Sequence, residues 1–436
     1  MRRALTLTIL ALGCAAVAEA LPAAGAAAPS ARTAQDAPPT ASVDPVVAWN
    51  RFLVDLQAAP GVQPATVHPT YELAIVHAAI YDAVVSIDHS AAPYLTDVHG
   101  ARSASTAAAA DAAAHDTLLR LYPSQRPSVD AQYAAMLATL PAGRRRSMGI
   151  RVGQRVAAQL LAARAHDRSD GTPLPYLPSG KAGSYVPTPP AFAQPVFTHW
   201  PVVKPFTLPR GDEFRPAPPP ALTSAKYAAA INEVKALGAA QGSVRTADQT
   251  QIGLFWNAPI WAAWNRIAQT AALAHHAGLA ANARTFAALN LTFADSAIAF
   301  YDAKYAYRLW RPVTAIRAAD TDGNPDTAAD ATWTPLSATA PDPSYPGAHA
   351  TISAAGADVL AAVYGNDFAF TVTSPALPGV ERSFVSFSEA AQEASASRIF
   401  NGNHTRLDEV AGEDLGHDVA AFVLRHELLA RTAHAR

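Results

Sequence analysis

Lys304-Tyr-Ala-Tyr-Arg-Leu-Trp-Arg311-Pro312 is the stretch on which the reading of this chain turns. Lys304 and Arg311 are seven residues apart, two turns of an α-helix, so a helix through them carries both cations on one face. Pro312 takes the chain out of that helix immediately afterwards. Two positive charges therefore point at one place near a helix end. Taken alone, the stretch also reads as a solvated basic helix terminus, where cations complement the helix dipole.

Two later stretches carry matching chemistry. Pro343-Ser-Tyr-Pro346-Gly347-Ala348-His349 runs into an Ala-rich helical pattern. Pro and Gly just before a helix start leave the backbone N–H groups of its first turn free for an anion, and His349 sits in that turn as a proton carrier. By itself it is equally an ordinary loop with an N-terminal histidine. In Ser397-Arg398-Ile-Phe-Asn401-Gly402-Asn403-His404-Thr-Arg-Leu-Asp408, Asn401-Gly402 is a turn signal and Asn403 a good N-cap. His404 and Asp408 then fall at i and i+4 of a new helix. Asp408 there accepts the Nδ1–H of His404 and leaves the other ring nitrogen as an oriented ligand or nucleophile. A surface His–Asp pair worth little gives the same pattern. Together the three stretches supply three cations (Lys304, Arg311, Arg398), backbone donors and two histidines, which is what a tetrahedral oxyanion requires.

Around these segments the chain reads as all-α. Apolar residues recur at helical spacing from Val46 to Leu56 and from Leu73 to Val84, and the pattern continues through 105–121, 129–140 and 144–166. Helical blocks resume at Ser224, a good N-cap, and run through about 238, 246–256, 260–277, 281–310, 349–364, 388–399 and 403–430. Only Phe368 to Thr373 offers a short strand. Between the two halves prolines recur every few residues and remove backbone donors. The aromatic residues there (Tyr176, Tyr185, Phe192, Phe197, Trp200, Phe206, Phe214) argue that this segment packs on the helical body instead of remaining disordered. The expected organisation is an N-terminal helical region at 45–170, a Pro-rich crossing or lid at 171–222 and a helical bundle carrying the site at 223–436.

The first residues read as an export signal at 1–28. Arg2-Arg3 form its basic start, Ala4 to Val17 its apolar stretch, and Ala18-Glu19-Ala20 or Ala26-Ala27-Ala28 a small-residue cleavage site. An Ala/Pro/Thr-rich tether at 29–44 follows. The expectation is a secreted or periplasmic protein. The single cysteine, Cys14, falls inside the leader, which excludes disulfides and thiol chemistry from the mature chain. The 33 Lys and Arg nearly balance the 35 Asp and Glu, which argues against nucleic acid as a partner. No later run of 18 or more residues is both apolar and free of charge, so no transmembrane anchor is expected in the mature chain. His275-His276 with His404 and Asp408 would be the donors of a zinc hydrolase, but three cations at the same place repel a dication and no HExxH pair exists. His77 lies on an apolar face and reads as a core residue.

The order Lys, six residues, Arg-Pro; Pro, two residues, His; Ser-Arg, five residues, His, three residues, Asp resembles the signature of vanadium-dependent haloperoxidases and type 2 phosphatidic acid phosphatases. The matching motifs cover Lys304 to Asp408, and the helical pattern from about Val46 is compatible with the soluble, secreted bacterial haloperoxidase-like branch. The resemblance implies a large all-α bundle. It implies vanadate held by Lys304, Arg311, Gly347, Ala348 and Arg398, with His404 coordinating vanadium, Asp408 steadying that ring and His349 as the acid–base group. The implied partners are hydrogen peroxide and a halide, which is oxidised. In the phosphatase alternative the pocket takes a phosphate monoester without vanadate: His404 attacks phosphorus and His349 protonates the leaving alcohol. One position departs from the family. Where Ser-Gly-His is usual, this chain has Gly347-Ala348-His349, so a hydroxyl donor is lost while two backbone N–H groups are expected to remain. Losing a donor to a charged oxyanion costs about 1.5–3 kcal/mol, which weighs most on vanadate retention.

Overall fold

The computed structural model describes residues 44–62, 67–96 and 98–428. The expected leader at 1–28 and the tether as far as residue 43 lie outside them.

Among the described residues, five helices form the N-terminal half. Asp44 caps α1 (Pro45–Ala58), its carboxylate accepting from the N–H groups of Val46 and Val47. α2 (His68–Asp88), α3 (Thr106–Leu121), α4 (Arg126–Ala138) and α5 (Arg144–Arg164) follow. After the crossing come α6 (Ala225–Leu237), capped by Ser224, α7 (Ala247–Phe255), with a Thr246/Gln249 capping box, α8 (Ile260–Ala274) and α9 (Leu279–Tyr307). The remaining helices are α10 (Pro312–Arg317), α11 (Ala348–Tyr364), α12 (Phe387–Phe400) and α13 (Arg406–His426). Among the described residues one hairpin joins β1 (Phe370–Thr373) to β2 (Glu381–Phe384), antiparallel, with Phe370 opposite Phe384. Its first strand is the one expected; the second, Glu-Arg-Ser-Phe, has too little alternation to announce itself.

Two helices run through the middle of the molecule. α2 is buried continuously from Pro69 to Ile87 and α9 from Thr285 to Lys304. Neither shows a polar face, because each is covered on every side. α2 alone among the described helices is long and apolar enough to cross a membrane by composition, and its whole apolar window is buried inside the protein. α9 packs on α2 from the N-terminal half and on α11 and α13 from the C-terminal half. One hydrophobic core therefore runs across both halves, from Trp49 and Ile80 to Phe293, Leu360 and Val419. His77 belongs to it: it stacks on Phe286 and shares a hydrogen bond of 2.8 Å with Asn50.

α11 and α13 meet backbone to backbone. A Cβ on Gly412 would lie 2.4 Å from the carbonyl oxygen of Gly347, and one on Gly416 would lie 2.3 Å from that of Thr351. Only glycine at these two positions, one turn apart, lets α13 lie this close to the first turn of α11. This contact brings Asp408 and Gly347 together.

The Pro-rich crossing packs on the helical body, as its aromatic content predicts. Tyr185, Phe197, Trp200 and Phe206 are buried; Phe192, 60% exposed, is the exception. Two buried aspartates hold the loops on this side. Asp295 of α9 accepts from the N–H groups of Phe206, Thr207 and Leu208 and from the Thr207 hydroxyl, at 2.6–3.0 Å. Asp82 of α2 accepts from the N–H groups of Tyr94, Leu95 and Thr96 and from the Thr96 hydroxyl, also at 2.6–3.0 Å. The Tyr94 hydroxyl donates to the Phe206 carbonyl at 2.8 Å and ties the loops together.

Local structure around the motif residues departs from expectation in two places. α9 ends at Tyr307, and Arg308 takes a left-handed conformation (φ 52°). Lys304 and Arg311 are thus not two positions on one helix face. Pro312 does not end a helix either: it is the first residue of α10, where its missing N–H is harmless. The N-cap of α13 is Thr405, not Asn403. A capping box of Thr405 with Asp408 begins the helix two residues later than expected, so His404 stands just outside it.

Candidate active site

The breaks in the helices do what a continuous helix face was expected to do. Lys304 comes from the last turn of α9, Arg311 from the extended residue before α10, Arg398 from the last turn of α12, and His404 from the turn before α13. All four line one cavity of about 310 Å³ together with Ala348 and His349 from the first turn of α11. Val67, Thr70, Val196, Phe300 and Trp261 supply apolar wall, so the crossing and both halves of the molecule contribute to it. Gly347 and Asp408 stand behind this wall.

Hydrogen bonds fix the proton on each histidine. Arg311 Nη1 donates to His404 Nε2 at 3.0 Å. A guanidinium only donates, so Nε2 carries a lone pair and the ring proton sits on Nδ1. Nδ1 faces Asp408 Oδ2 at 3.5 Å and Glu409 Oε1 at 3.8 Å. Asp408 Oδ2 is itself held by the Ser344 hydroxyl (2.8 Å), the Thr405 N–H (2.7 Å) and the Thr405 hydroxyl (3.0 Å). The expected carboxylate behind the imidazole is there, at a distance longer than a hydrogen bond. His349 Nε2 donates to the Trp256 carbonyl at 3.1 Å, which leaves Nδ1 as its lone-pair nitrogen. Burial, with Arg311 and Lys304 beside His404 and Arg398 beside His349, holds both rings well below the usual histidine range. Both are neutral at physiological pH.

Sequence reasoning missed three residues here. Asp342 is buried, pairs through Oδ1 with Arg311 Nη2 and lies 3.6 Å from Lys304 Nζ. Burial pushes its carboxyl up, but the charges of Lys304 and Arg311 outweigh that and hold it below the usual range. Lys304 is driven the other way: complete burial lowers its ammonium to about 8 despite Asp342. Asn257 accepts from Arg398 Nη1 at 3.1 Å, while Arg398 Nε is buried with no hydrogen-bond partner. Glu409 is the third. The only signal for Asp342 was its place two residues before Ser344, and none marked Asn257 or Glu409.

Glu409 explains the departure at Gly347. A Cβ on Gly347 would lie 2.4 Å from Glu409 Oε1 and 2.9 Å from its Cδ, so the carboxyl group fills the space a serine side chain would need. Burial, and then the charge of Asp408, pushes that carboxyl well above the usual glutamate range. The expected pair of free backbone donors is also reduced. The Gly347 N–H donates to the Asp408 carbonyl at 2.8 Å, leaving Ala348, the first residue of α11, with the uncommitted N–H.

Residues 284–430 match a family model, the VCPO second helical-bundle domain, which spans every motif residue. The structure of a bacterial vanadium-dependent iodoperoxidase superposes with a TM-score of 0.75 at 25% identity, over 89% of this chain and 97% of that one. The C-terminal bundle is thus similar in sequence to the vanadium haloperoxidase superfamily, and the chain shares the fold of its solved bacterial structures. Two bacterial vanadium-dependent chloroperoxidase structures share the fold at 17% identity. The apo-type form gives a TM-score of 0.65 over 85% of this chain and 96% of that one, and the holo-type form 0.63 over 89% and 95%. No curated protein matches the sequence. Both helical halves are part of the shared fold, since the overlap with these structures runs well beyond residues 284–430.

Proposed function

We propose that this protein is a vanadium-dependent haloperoxidase-like enzyme that uses hydrogen peroxide to oxidise a halide. One observation carries the reading. Three buried cations line one cavity with an imidazole whose Nε2 lone pair is held by Arg311 Nη1 alone, and Arg398 has a buried Nε–H with no hydrogen-bond partner. The residues fit vanadate: the cations balance its charge and the neutral His404 offers a nitrogen donor. Lys304, Arg311, Arg398 and the Ala348 N–H would hold it, with His404 Nε2 as the ligand. When bound, vanadate supplies the Lewis acidity that activates peroxide toward halide.

The rest of the chemistry belongs to the protein. Asp408, anchored by Ser344 and Thr405, faces the Nδ1–H of His404 at 3.5 Å and favours the tautomer that leaves Nε2 as the ligand nitrogen. His349, neutral and with Nδ1 free, takes a proton from peroxide as it enters and returns it to the departing oxygen. Phe300, Trp261 and Ile352 keep part of the cavity dry, which strengthens every charge interaction inside it. We also assign the enzyme to the cell exterior or periplasm, from the leader pattern at 1–28.

The test is peroxide-dependent bromination and iodination by purified protein loaded with orthovanadate, beside p-nitrophenyl phosphate hydrolysis without it. We expect halogenation that is lost in His404→Ala. Phosphate release dependent on His404, without halogenation, would overturn the proposal in favour of a phosphomonoesterase.

A further inference from the structure

Asp342 stands where an anion would stand. Its carboxylate lines the same cavity as Lys304, Arg311, Arg398 and His404. Oδ1 bridges Arg311 Nη2 and Lys304 Nζ, and Oδ2 accepts from the Tyr301 hydroxyl at 3.1 Å. The backbone is pinned as well: the Asp342 carbonyl accepts from Arg311 Nε at 2.7 Å, and the Pro341 carbonyl accepts from the Val196 N–H of the crossing at 3.0 Å.

The donors of the two cations are nearly used up by these contacts. Arg311 gives Nε to the Asp342 carbonyl, Nη1 to the Asn403 carbonyl and His404 Nε2, each at 3.0 Å, and one Nη2 hydrogen to the Asp342 carboxylate. Lys304 gives two hydrogens to the carbonyls of Pro343 and Ser344, and its third faces Asp342. Neither side chain has several donors left for an incoming oxyanion.

We propose that Asp342 is an internal competitor for the oxyanion, a carboxylate that a ligand must displace from Lys304 and Arg311, and that it weakens the pocket's preference for doubly over singly charged tetrahedral oxyanions. The inference rests on the oxyanion reading above. Its physical basis is that a dianion meets the carboxylate's repulsion twice as strongly as a monoanion of the same shape. Building repulsion against the wrong ligand is an ordinary route to selectivity. Asp342 is thus a specificity-determining residue, and its removal should tighten binding, the reverse of what loss of a contact residue does.

Calorimetric titration of the purified full-length protein with sulfate, a tetrahedral dianion, and perchlorate, a tetrahedral monoanion, at one pH and ionic strength tests this. Asp342→Asn keeps the volume and removes the charge. We expect it to bind sulfate about tenfold tighter than the wild type, with a clearly smaller gain for perchlorate. Equal sulfate affinity in a variant with an unchanged melting curve, or an equal gain for both anions, overturns the inference and leaves the pocket reading intact. If Asp342→Asn does not fold, Tyr301→Phe decides: it loosens the carboxylate and should give a gain of about two- to threefold for sulfate, and no gain overturns the inference. If none of the three proteins binds any tetrahedral oxyanion, phosphate and orthovanadate included, the pocket reading itself falls and this one with it.

Discussion

Two buried polar clusters lie on α9 less than three turns apart, and they are built to opposite rules. At Asp295 one carboxylate meets three backbone N–H groups and a hydroxyl, so its charge is spread over neutral donors that have no other partner. Asp82 on α2 repeats the arrangement. At Lys304, Arg311 and Arg398 three cations share a cavity with the Asp342 carboxylate and two neutral histidines. Arg398 Nε and, behind the cavity wall, Asp408 Oδ1, Glu409 Oε1 and Asn403 Oδ1 are buried without hydrogen-bond partners. A satisfied cluster fixes loops in place. An unsatisfied one, left around a cavity, keeps a cationic donor such as the Arg398 N–H that an anion can complete.

That difference predicts opposite responses to truncation. Asp295→Ala leaves three N–H groups and a hydroxyl buried with no acceptor and should destabilise the protein by about 4 kcal/mol or more in urea unfolding. Folded variant recovered at low temperature should keep its affinity for oxyanions. The comparison breaks if Asp295→Ala unfolds like the wild type. Arg398→Met should do the reverse. It removes a fully buried cation with an unpartnered donor, so the unfolding midpoint should hold or rise, whereas oxyanion affinity should fall about 100-fold, equivalent to ~2.7 kcal/mol. A large loss of stability in Arg398→Met would place that arginine with Asp295 as a structural residue.

The sequence made one side of this contrast much more legible than the other. The helices were readable because their caps and periodicities are local: Ser224, Thr246 and the run from Ala281 each mark an element the structure contains. Lys304, Arg311, Arg398, His349 and His404 were readable because their residue types and spacing resemble a family signature, although the helical geometry first offered for Lys304 and Arg311 does not exist. Their convergence comes from the left-handed turn at Arg308 and the new helix at Pro312, and a period of 3.6 cannot announce a break. Asp295 and Asp82 were illegible: each is one acidic residue in an apolar helix, and its partners lie 87–89 and 12–14 residues away. Asp342 and Glu409 were hidden for the same reason, since their meaning is set by what the fold places against them. The space at Gly347 is filled by a side chain from a different helix, and only the close approach at Gly412 and Gly416 puts it there.

Asp111 lies between the two extremes and gives the smallest effect. Buried on α3, it accepts from Trp49 Nε1 at 2.9 Å through Oδ1, while Oδ2 has no hydrogen-bond partner. Burial raises its carboxyl to about 7, with the Trp49 bond acting in the opposite direction. A carboxyl raised on folding favours the protonated native state. Its contribution to stability is therefore complete below the unfolded value near 3.8 and is lost as pH rises through about 7. Asp111→Asn keeps an oxygen for Trp49 and cannot ionise. The variant should match the wild type at pH 4 and exceed it at pH 8 in chemical unfolding, the gap opening as pH rises toward 7. If the two proteins keep the same difference at every pH, Asp111 is ionised in the native state throughout and belongs with the satisfied carboxylates. The predicted divergence would place it as a half-satisfied group that the apolar core holds neutral, with one lone partner and no ligand to complete it.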